Sequence, residues 1–309
     1  MSIAQIKNDN LSGADEILQQ AGHALHDLIR LQNFSSRIEA LDFVRGVGKE
    51  LILSQPRMAS LINLVNRVFF ACDQAGDGPT CQTSTLHKIN NFMQLAITAK
   101  FMLIQRVEAL FDHEAVIATY SRSSLVMFVL SELAKRRRFS VCLTEARPML
   151  EGRQAAQEMA QLNISVTLAV DAALKQVVDR CDIVLVGADS FNSKIVINKI
   201  GTGMLVKLAQ AAGKPVYALC TLQKYLPEGI NLPPEPTHSD SEIWQDRPEQ
   251  VTIYNPYFEE IPFNLFTGVI TENGIFNAQN QGEQMFNEPV HPWLVEFLGN
   301  NKVTAGYMI

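Results

Sequence analysis

Beyond Glu114 the chain alternates short, almost continuously apolar runs with helix-length segments, and this rhythm constrains the fold more than any other feature. The runs are Ala115 to Thr119, Phe139 to Thr144, Ser165 to Val170, Asp182 to Val186 and Pro215 to Cys220. A strand with one wet face alternates polar and apolar residues, whereas a strand covered on both faces is apolar throughout. Such runs with helices between them predict an α/β fold: a doubly wound, mostly parallel sheet with right-handed crossovers. Ligands of such sheets sit beyond the carboxyl ends of the strands.

The first part of the chain reads differently. From Leu11 to Asp112 the spacing is helical, with Ser12 placed to cap a helix whose apolar positions Ile17, Leu18, Ala21, Leu25, Leu28 and Ile29 recur at steps of three and four. Similar stripes follow at Leu61, Leu64, Val65, Val68 and Phe69 and at Phe92, Leu95, Ala96, Ala99 and Leu103, separated by the Gly- and Pro-containing stretch Asp73 to Thr80. The predicted organisation is a helical domain over 1–112 and a Rossmann-like domain over 113–309. His23, His26 and His87 lie in the helical part without carboxylates at ligand spacing, so no metal site is expected there.

Composition narrows the classes of function. The 309 residues are 47% apolar and 19% charged, which suits packed cores and disfavours disorder. No apolar run approaches the roughly 20 residues that span a bilayer, and Met1 to Asn10 is too polar for a signal sequence, so a cytoplasmic protein without a membrane partner is expected. The net charge of −6 argues against direct nucleic-acid binding. The single dense basic run, Lys135-Arg136-Arg137-Arg138, follows a helical stretch and reads as its solvated end. The 5 cysteines are scattered and without a C-x-x-C pair, and read mostly as buried thiols.

The residues just after the predicted strands are Tyr120-Ser121-Arg122-Ser123, Glu145-Ala146-Arg147-Pro148, Asp171, Gly187-Ala188-Asp189-Ser190 and Thr221-Leu222-Gln223-Lys224. Hydroxyls, arginines, carboxylates and a lysine converging on one edge suit an anionic small molecule, with Arg122 and Arg147 shaped to fork a phosphate. Arg147 equally suits pairing with a neighbouring acid, and Asp171 suits capping the helix that begins at Ala172-Ala173. Ile197-Asn198-Lys199-Ile200-Gly201-Thr202-Gly203 leads into a helix whose first amides form an anion site, with Asn198 adding a donor and Lys199 a cation. Neither a G-x-G-x-x-G after the first strand nor a Walker sequence is present, so no nucleotide cofactor is expected.

Val184-Leu185-Val186-Gly187-Ala188-Asp189-Ser190 followed by Ile197-Asn198-Lys199-Ile200-Gly201-Thr202 resembles the signature of one superfamily. That superfamily unites the alpha, beta and delta regulatory subunits of eukaryotic translation initiation factor 2B with methylthioribose-1-phosphate and ribose-1,5-bisphosphate isomerases. Thr119 to Ser123, Thr144 to Pro148 with Gly152-Arg153, Val166-Thr167 through Ala173, and Asn255 to Glu259 match in the same order. The resemblance implies a helical N-terminal domain, a Rossmann-like C-terminal domain, a homodimer, a sugar-phosphate or nucleoside-monophosphate pocket between domains, and contact with other subunits of the initiation-factor type. Carried over residue by residue, it implies sugar-phosphate contacts from Ser121, Arg122, Arg147, Arg153, Asn198 and Lys199.

In the isomerases a cysteine and an aspartate interconvert a ribose 1-phosphate and a ribulose 1-phosphate. The aspartate matches Asp189, but Ser121 stands where the thiol belongs, and an alcohol is poorly matched to proton transfer near neutrality. The isomerase Arg-Pro-Thr segment is here Gln55-Pro56-Arg57, another family arginine is missing around Ser12-Gly13-Ala14, and Glu151 replaces a glutamine of the methylthioribose-phosphate isomerases. Tyr120-Ser121-Arg122 is closer to the initiation-factor alpha subunit, which often carries glutamate in place of Asp189. The expected function is an alpha-subunit-like regulatory protein with a sugar-phosphate or nucleotide pocket, and the alternative is an aldose–ketose isomerase in which Asp189 is catalytic. A further expectation concerns Thr252 to Asn273, whose aromatic and apolar residues suit either a subunit interface or a cover for the chain's own sheet edge.

Overall fold

The computed structural model describes residues 2–9, 12–110, 114–227, 229–230, 232–277 and 289–300. Its chain forms two compact units, neither contiguous in sequence: Met1–Ala99 with Thr221–Pro233 and Glu283–Ile309, and Lys100–Cys220 with Pro234–Gly282. The expected domain boundary at Asp112 lies outside the described residues.

The first unit is built from helices α1 (Ile3–Lys7), α2 (Ala14–Arg30), α3 (Arg37–Ser54), α4 (Ala59–Asp73) and the part of α5 (Gly78–Glu108) up to Ala99. Their apolar stripes form one core that contains Leu25, Ile29, Leu61, Leu64, Val65, Val68, Phe69 and Phe92. Two details correct the sequence reading. Ser12 does not cap α2, because the helix starts at Ala14 and leaves it one residue before the cap, with its amide given to Asp9 Oδ1 at 2.8 Å; Gly13 is the cap residue and donates its N–H to Glu16 Oε2 at 3.2 Å. Leu95 is 42% exposed, since the buried stripe of α5 runs through Phe92, Ala96, Ala99 and Leu103 at steps of four, three and four and passes it by.

The cysteines also divide. Cys72 at the end of α4 and Cys81 in the first turns of α5 are joined by a disulfide with Cα atoms 4.5 Å apart, a pairing that the reading of the cysteines as mostly buried thiols did not foresee. The turn between the two helices brings them together, at a spacing that matches no motif. Cys142, Cys181 and Cys220 are buried thiols, and burial is the largest influence that pushes the Cys142 thiol up to about 12.

The second unit follows the predicted alternation: β1 (Val116–Ala118), α6 (Ser124–Ala134), β2 (Ser140–Thr144), α7 (Glu151–Gln161), β3 (Ser165–Ala169), α8 (Leu174–Arg180) and β4 (Ile183–Gly187). It continues with β5 (Ser190–Phe191), β6 (Ile195–Lys199), α9 (Thr202–Ala211), β7 (Val216–Leu219), β8 (Phe258–Pro262), β9 (Gly268–Thr271) and β10 (Gly274–Phe276). Helix α10 (Pro292–Asn300) belongs to the first unit.

The main sheet has the order β10-β9-β7-β4-β1-β2-β3 and is parallel except for β10. All five apolar runs are strands in it. Ile117, Val141, Leu143, Ile183, Leu185, Leu219 and Ile270 pack with α6 and α7 residues such as Leu130 and Met159 into the core of the unit. The outlier is β3, an edge strand whose Leu168 is 42% exposed.

A second sheet, β5-β6-β8, is antiparallel and was not visible in the sequence pattern. The segment Thr252 to Asn273 supplies β8 and β9, and its Ile261, Phe263, Phe266, Val269 and Ile270 are buried inside the unit. Those apolar residues therefore cover and extend the chain's own sheet, while Tyr254 is 77% exposed. The basic run is a solvated helix end: Lys135 pairs with Glu132 at 2.6 Å, and Arg136 and Arg137 pair with Glu108 at 3.4 and 3.0 Å.

Candidate functional site

The strand order reverses between β1 and β4, where the chain turns from building the sheet in one direction to building it in the other. A crevice opens at such a point beyond the carboxyl ends, because the two following connections leave on opposite faces. Ser121 follows β1 and Asp189 follows β4, and the two strands are parallel neighbours with Ala118 opposite Val184. Ser121 has a left-handed backbone, φ 59°; the next hydroxyl, Ser123 Oγ, accepts the Val126 N–H and starts α6.

The small sheet brings the second signature to the same edge. β5 and β6 pair with Ser190 opposite Ile197, and the Asp189 N–H donates to Ile197 O at 2.9 Å, so Asp189 lies one step from Asn198. Asn198 and Lys199 are 7% and 6% exposed. Asn198 Nδ2 donates to Thr202 Oγ1 at 3.0 Å, and Thr202 Oγ1 donates to Lys199 O at 2.6 Å, which locks the turn into α9. Gly201 sits in that turn at φ 99°, and the Tyr120 hydroxyl occupies the space a Cβ would need. Burial above all, then the charges of Asp171, Glu151 and Glu259, hold the Tyr120 phenol well above its ordinary range.

One anion-binding expectation and one capping expectation are corrected by carboxylates of the chain itself. The first amides of α9, read as a phosphate site, donate instead to Glu259: Gly201 N–H and Gly203 N–H both reach Oε1, at 2.7 and 2.9 Å. Asp171 does not cap the helix that follows it; its two oxygens accept the N–H groups of Ala146 and Arg147 at 3.0 and 2.8 Å and hold the loop after β2.

The basic side chains are likewise engaged. Lys199 Nζ is 2.5 Å from Glu151 Oε1, and Arg122 Nε is 2.6 Å from Glu158 Oε1. Arg153 pairs with Glu145 from an exposed position. Arg147 is exposed, with one guanidinium nitrogen 3.4 Å from the carbonyl oxygens of Glu242 and Ile243. Arg122 and Arg153 thus lean toward carboxylates of α7 and the β2 loop, while Ser121, Asp189, Asn198 and Lys199 share the switch-point edge.

Sequence reasoning missed the wall opposite Lys199. Tyr257 lies with its ring centroid 4.4 Å from Lys199 Nζ, donates its hydroxyl to Glu242 Oε1 at 2.6 Å and stacks on His238 at 3.4 Å. Glu235 Oε1 accepts the N–H groups of Tyr257 and Phe258 at 2.9 and 3.1 Å. Glu235, His238 and Glu242 come from a long irregular segment with no periodicity. Tyr257, within the Asn255 to Glu259 match, was the one signal that pointed there. Among the described residues no group of three or more acids, histidines or cysteines is placed to hold a metal ion, and no helix is long and apolar enough to cross a membrane.

Known proteins resemble the chain over most of its length. A ribose 1,5-bisphosphate isomerase of Methanocaldococcus jannaschii is 25% identical over 295 residues, 94% of each chain. The translation initiation factor eIF2B subunit alpha of Dictyostelium discoideum is 25% identical over 67% of this chain and 68% of its own length. The crystal structure of a translation initiation factor eIF-2B of Pyrococcus horikoshii superposes with a TM-score of 0.76 at 25% identity, covering 89% of this chain and 94% of that one. The model of the initiation factor 2 subunit family matches residues 10–278, and the chain belongs to that family.

Proposed function

We propose that the chain is a cytoplasmic aldose–ketose isomerase acting on a ribose 1-phosphate, ribose 1,5-bisphosphate first and methylthioribose 1-phosphate second. The observation that carries this reading is the similarity to a ribose 1,5-bisphosphate isomerase across 94% of both chains. It reverses the order suggested by the Tyr120-Ser121-Arg122 motif alone.

The reaction breaks the C1–O4 bond with a proton going to the ring oxygen, removes the C2 proton to give a C1–C2 enol whose C1 oxygen keeps its phosphate, and returns a proton to C1 as the O2 proton leaves and the carbonyl forms at C2. In this assignment Asp189 is the proton-transferring group. Ser121, with an alcohol too weakly acidic or basic for that step, hydrogen-bonds a sugar oxygen. Asn198 and Lys199 hold the sugar from the β6 side, with Arg122, Arg147 and Arg153 as the remaining contacts to the sugar phosphate. The working form is a homodimer. Turnover of ribose 1,5-bisphosphate that disappears in Asp189→Asn supports this function, and binding without turnover contradicts it.

Ser121 favours a second reading. With the family thiol replaced by a hydroxyl, the same edge serves a regulatory subunit that senses a sugar phosphate or nucleoside monophosphate without converting it. Co-purification with initiation-factor subunits, together with absent turnover, is its signature.

A further inference from the structure

The Lys199 end of the switch-point edge carries an ammonium already matched by a carboxylate. Glu151, the first residue of α7, places Oε1 2.5 Å from Nζ, with the two side chains 12% and 8% exposed. Among the described residues its other oxygen, Oε2, is buried without a hydrogen-bond partner. The ring of Tyr257 covers another side of the ammonium, and its hydroxyl is given to Glu242. Burial first, then the hydrogen bond to Glu242 and the charges of Glu242, Glu151 and Glu235, raise the Tyr257 phenol above its ordinary range. The neighbouring helix N-terminus, the other natural anion site, holds Glu259.

We infer that Glu151 determines the ligand chemistry here, committing the Lys199 end of the edge to an uncharged, hydroxyl-bearing portion of a ligand and excluding its phosphate. A hydroxyl both donates and accepts, so it suits an ammonium N–H next to a carboxylate oxygen that lacks a donor. A phosphate oxyanion only accepts, and it would face Glu151 and Glu242 with like charge. Arg122 and Arg153, paired with Glu158 and Glu145, do not restore an unmatched cation on this side. The inference rests on the proposal that this edge binds a sugar phosphate, and it divides that ligand: sugar hydroxyls at Lys199, phosphate elsewhere.

Calorimetry on the full chain with inorganic phosphate and with ribose 5-phosphate tests it without any need for turnover. In Glu151→Gln the ammonium is no longer matched and the charged acceptor is gone, so the preference for ribose 5-phosphate over inorganic phosphate falls at least tenfold, mainly through tighter phosphate binding. Glu151→Asp, which keeps the charge, stays near the wild-type ratio. A ratio unchanged within twofold in Glu151→Gln overturns the inference. Should that variant not fold, Lys199→Gln asks the same question from the other side. Phosphate affinity stays within twofold if the ammonium is committed to Glu151, and a tenfold loss shows that Lys199 grips the anion. A protein that behaves as inferred but shows no isomerisation contradicts the proposed reaction alone.

Discussion

Glu259 Oε1 accepts the N–H of Gly201 at 2.7 Å, and through the same oxygen that of Gly203, so the strongest local anion site in the sequence is occupied by a side chain 58 residues further on. The helix start that ends the Asn198-Lys199 motif is therefore a structural joint between β8 and α9. Charge–dipole attraction and two charge-assisted hydrogen bonds act there together.

Replacing Glu259 by alanine leaves two amides of α9 without their acceptor and lowers stability by about 2 kcal/mol, with a smaller loss of roughly 1 kcal/mol in Glu259→Gln, which keeps an oxygen but not the charge. Urea unfolding of the two variants beside the wild type measures both values. Equal stability of all three contradicts the joint.

The parallel sheet was legible because burial on both faces writes itself into sequence as continuous apolar runs, as in Ile183 to Gly187. The β5-β6-β8 sheet was not, since its two-residue strand β5 carries no period and Ile195 to Lys199 also reads as the approach to a helix. Ser121, Asp189, Asn198 and Lys199 were found from their positions after strands or before a helix. The carboxylates that meet Lys199, Tyr257 and the start of α9 escaped because Glu151, Glu242 and Glu259 reach them from α7, an irregular segment and β8, and no local spacing encodes such a contact.

Asp171 carries a second stability prediction. Ala146 is fully buried with φ 58°, and the Asp171 carboxylate is the partner of its N–H and of the next one. Asp171→Ala strands a buried donor and costs about 2 kcal/mol; Asp171→Asn keeps one acceptor and costs about half as much. Chemical denaturation reads the difference, and an Asp171→Ala protein as stable as wild type contradicts the role.

The first unit should weaken in mild acid through His291. Its Nδ1 accepts the Trp293 N–H at 3.2 Å at the start of α10, which requires a neutral ring, and burial is the main influence that lowers its pKa from the ordinary 6.5. The unfolded ring binds a proton more readily than the folded one. Its contribution is thus complete above the ordinary pKa and is lost as pH falls through that value toward the lower folded one. Thermal unfolding between pH 7.5 and 5.5 shows this slope, and His291→Asn, which keeps a cap acceptor without the titration, flattens it. An identical slope in the variant contradicts the assignment.

The central claim is proton transfer at the switch-point edge, and the measurement that tests it most directly is isomerisation of ribose 1,5-bisphosphate by wild type, Asp189→Asn and Ser121→Cys assayed side by side. Loss of an acid–base group costs roughly 10²–10⁴-fold. The expected result is slow wild-type turnover, a further loss of about that size in Asp189→Asn, and a gain in Ser121→Cys as a titratable thiol returns beside Asp189. Substrate binding with no turnover by the wild type would contradict the isomerase and leave the regulatory reading in its place.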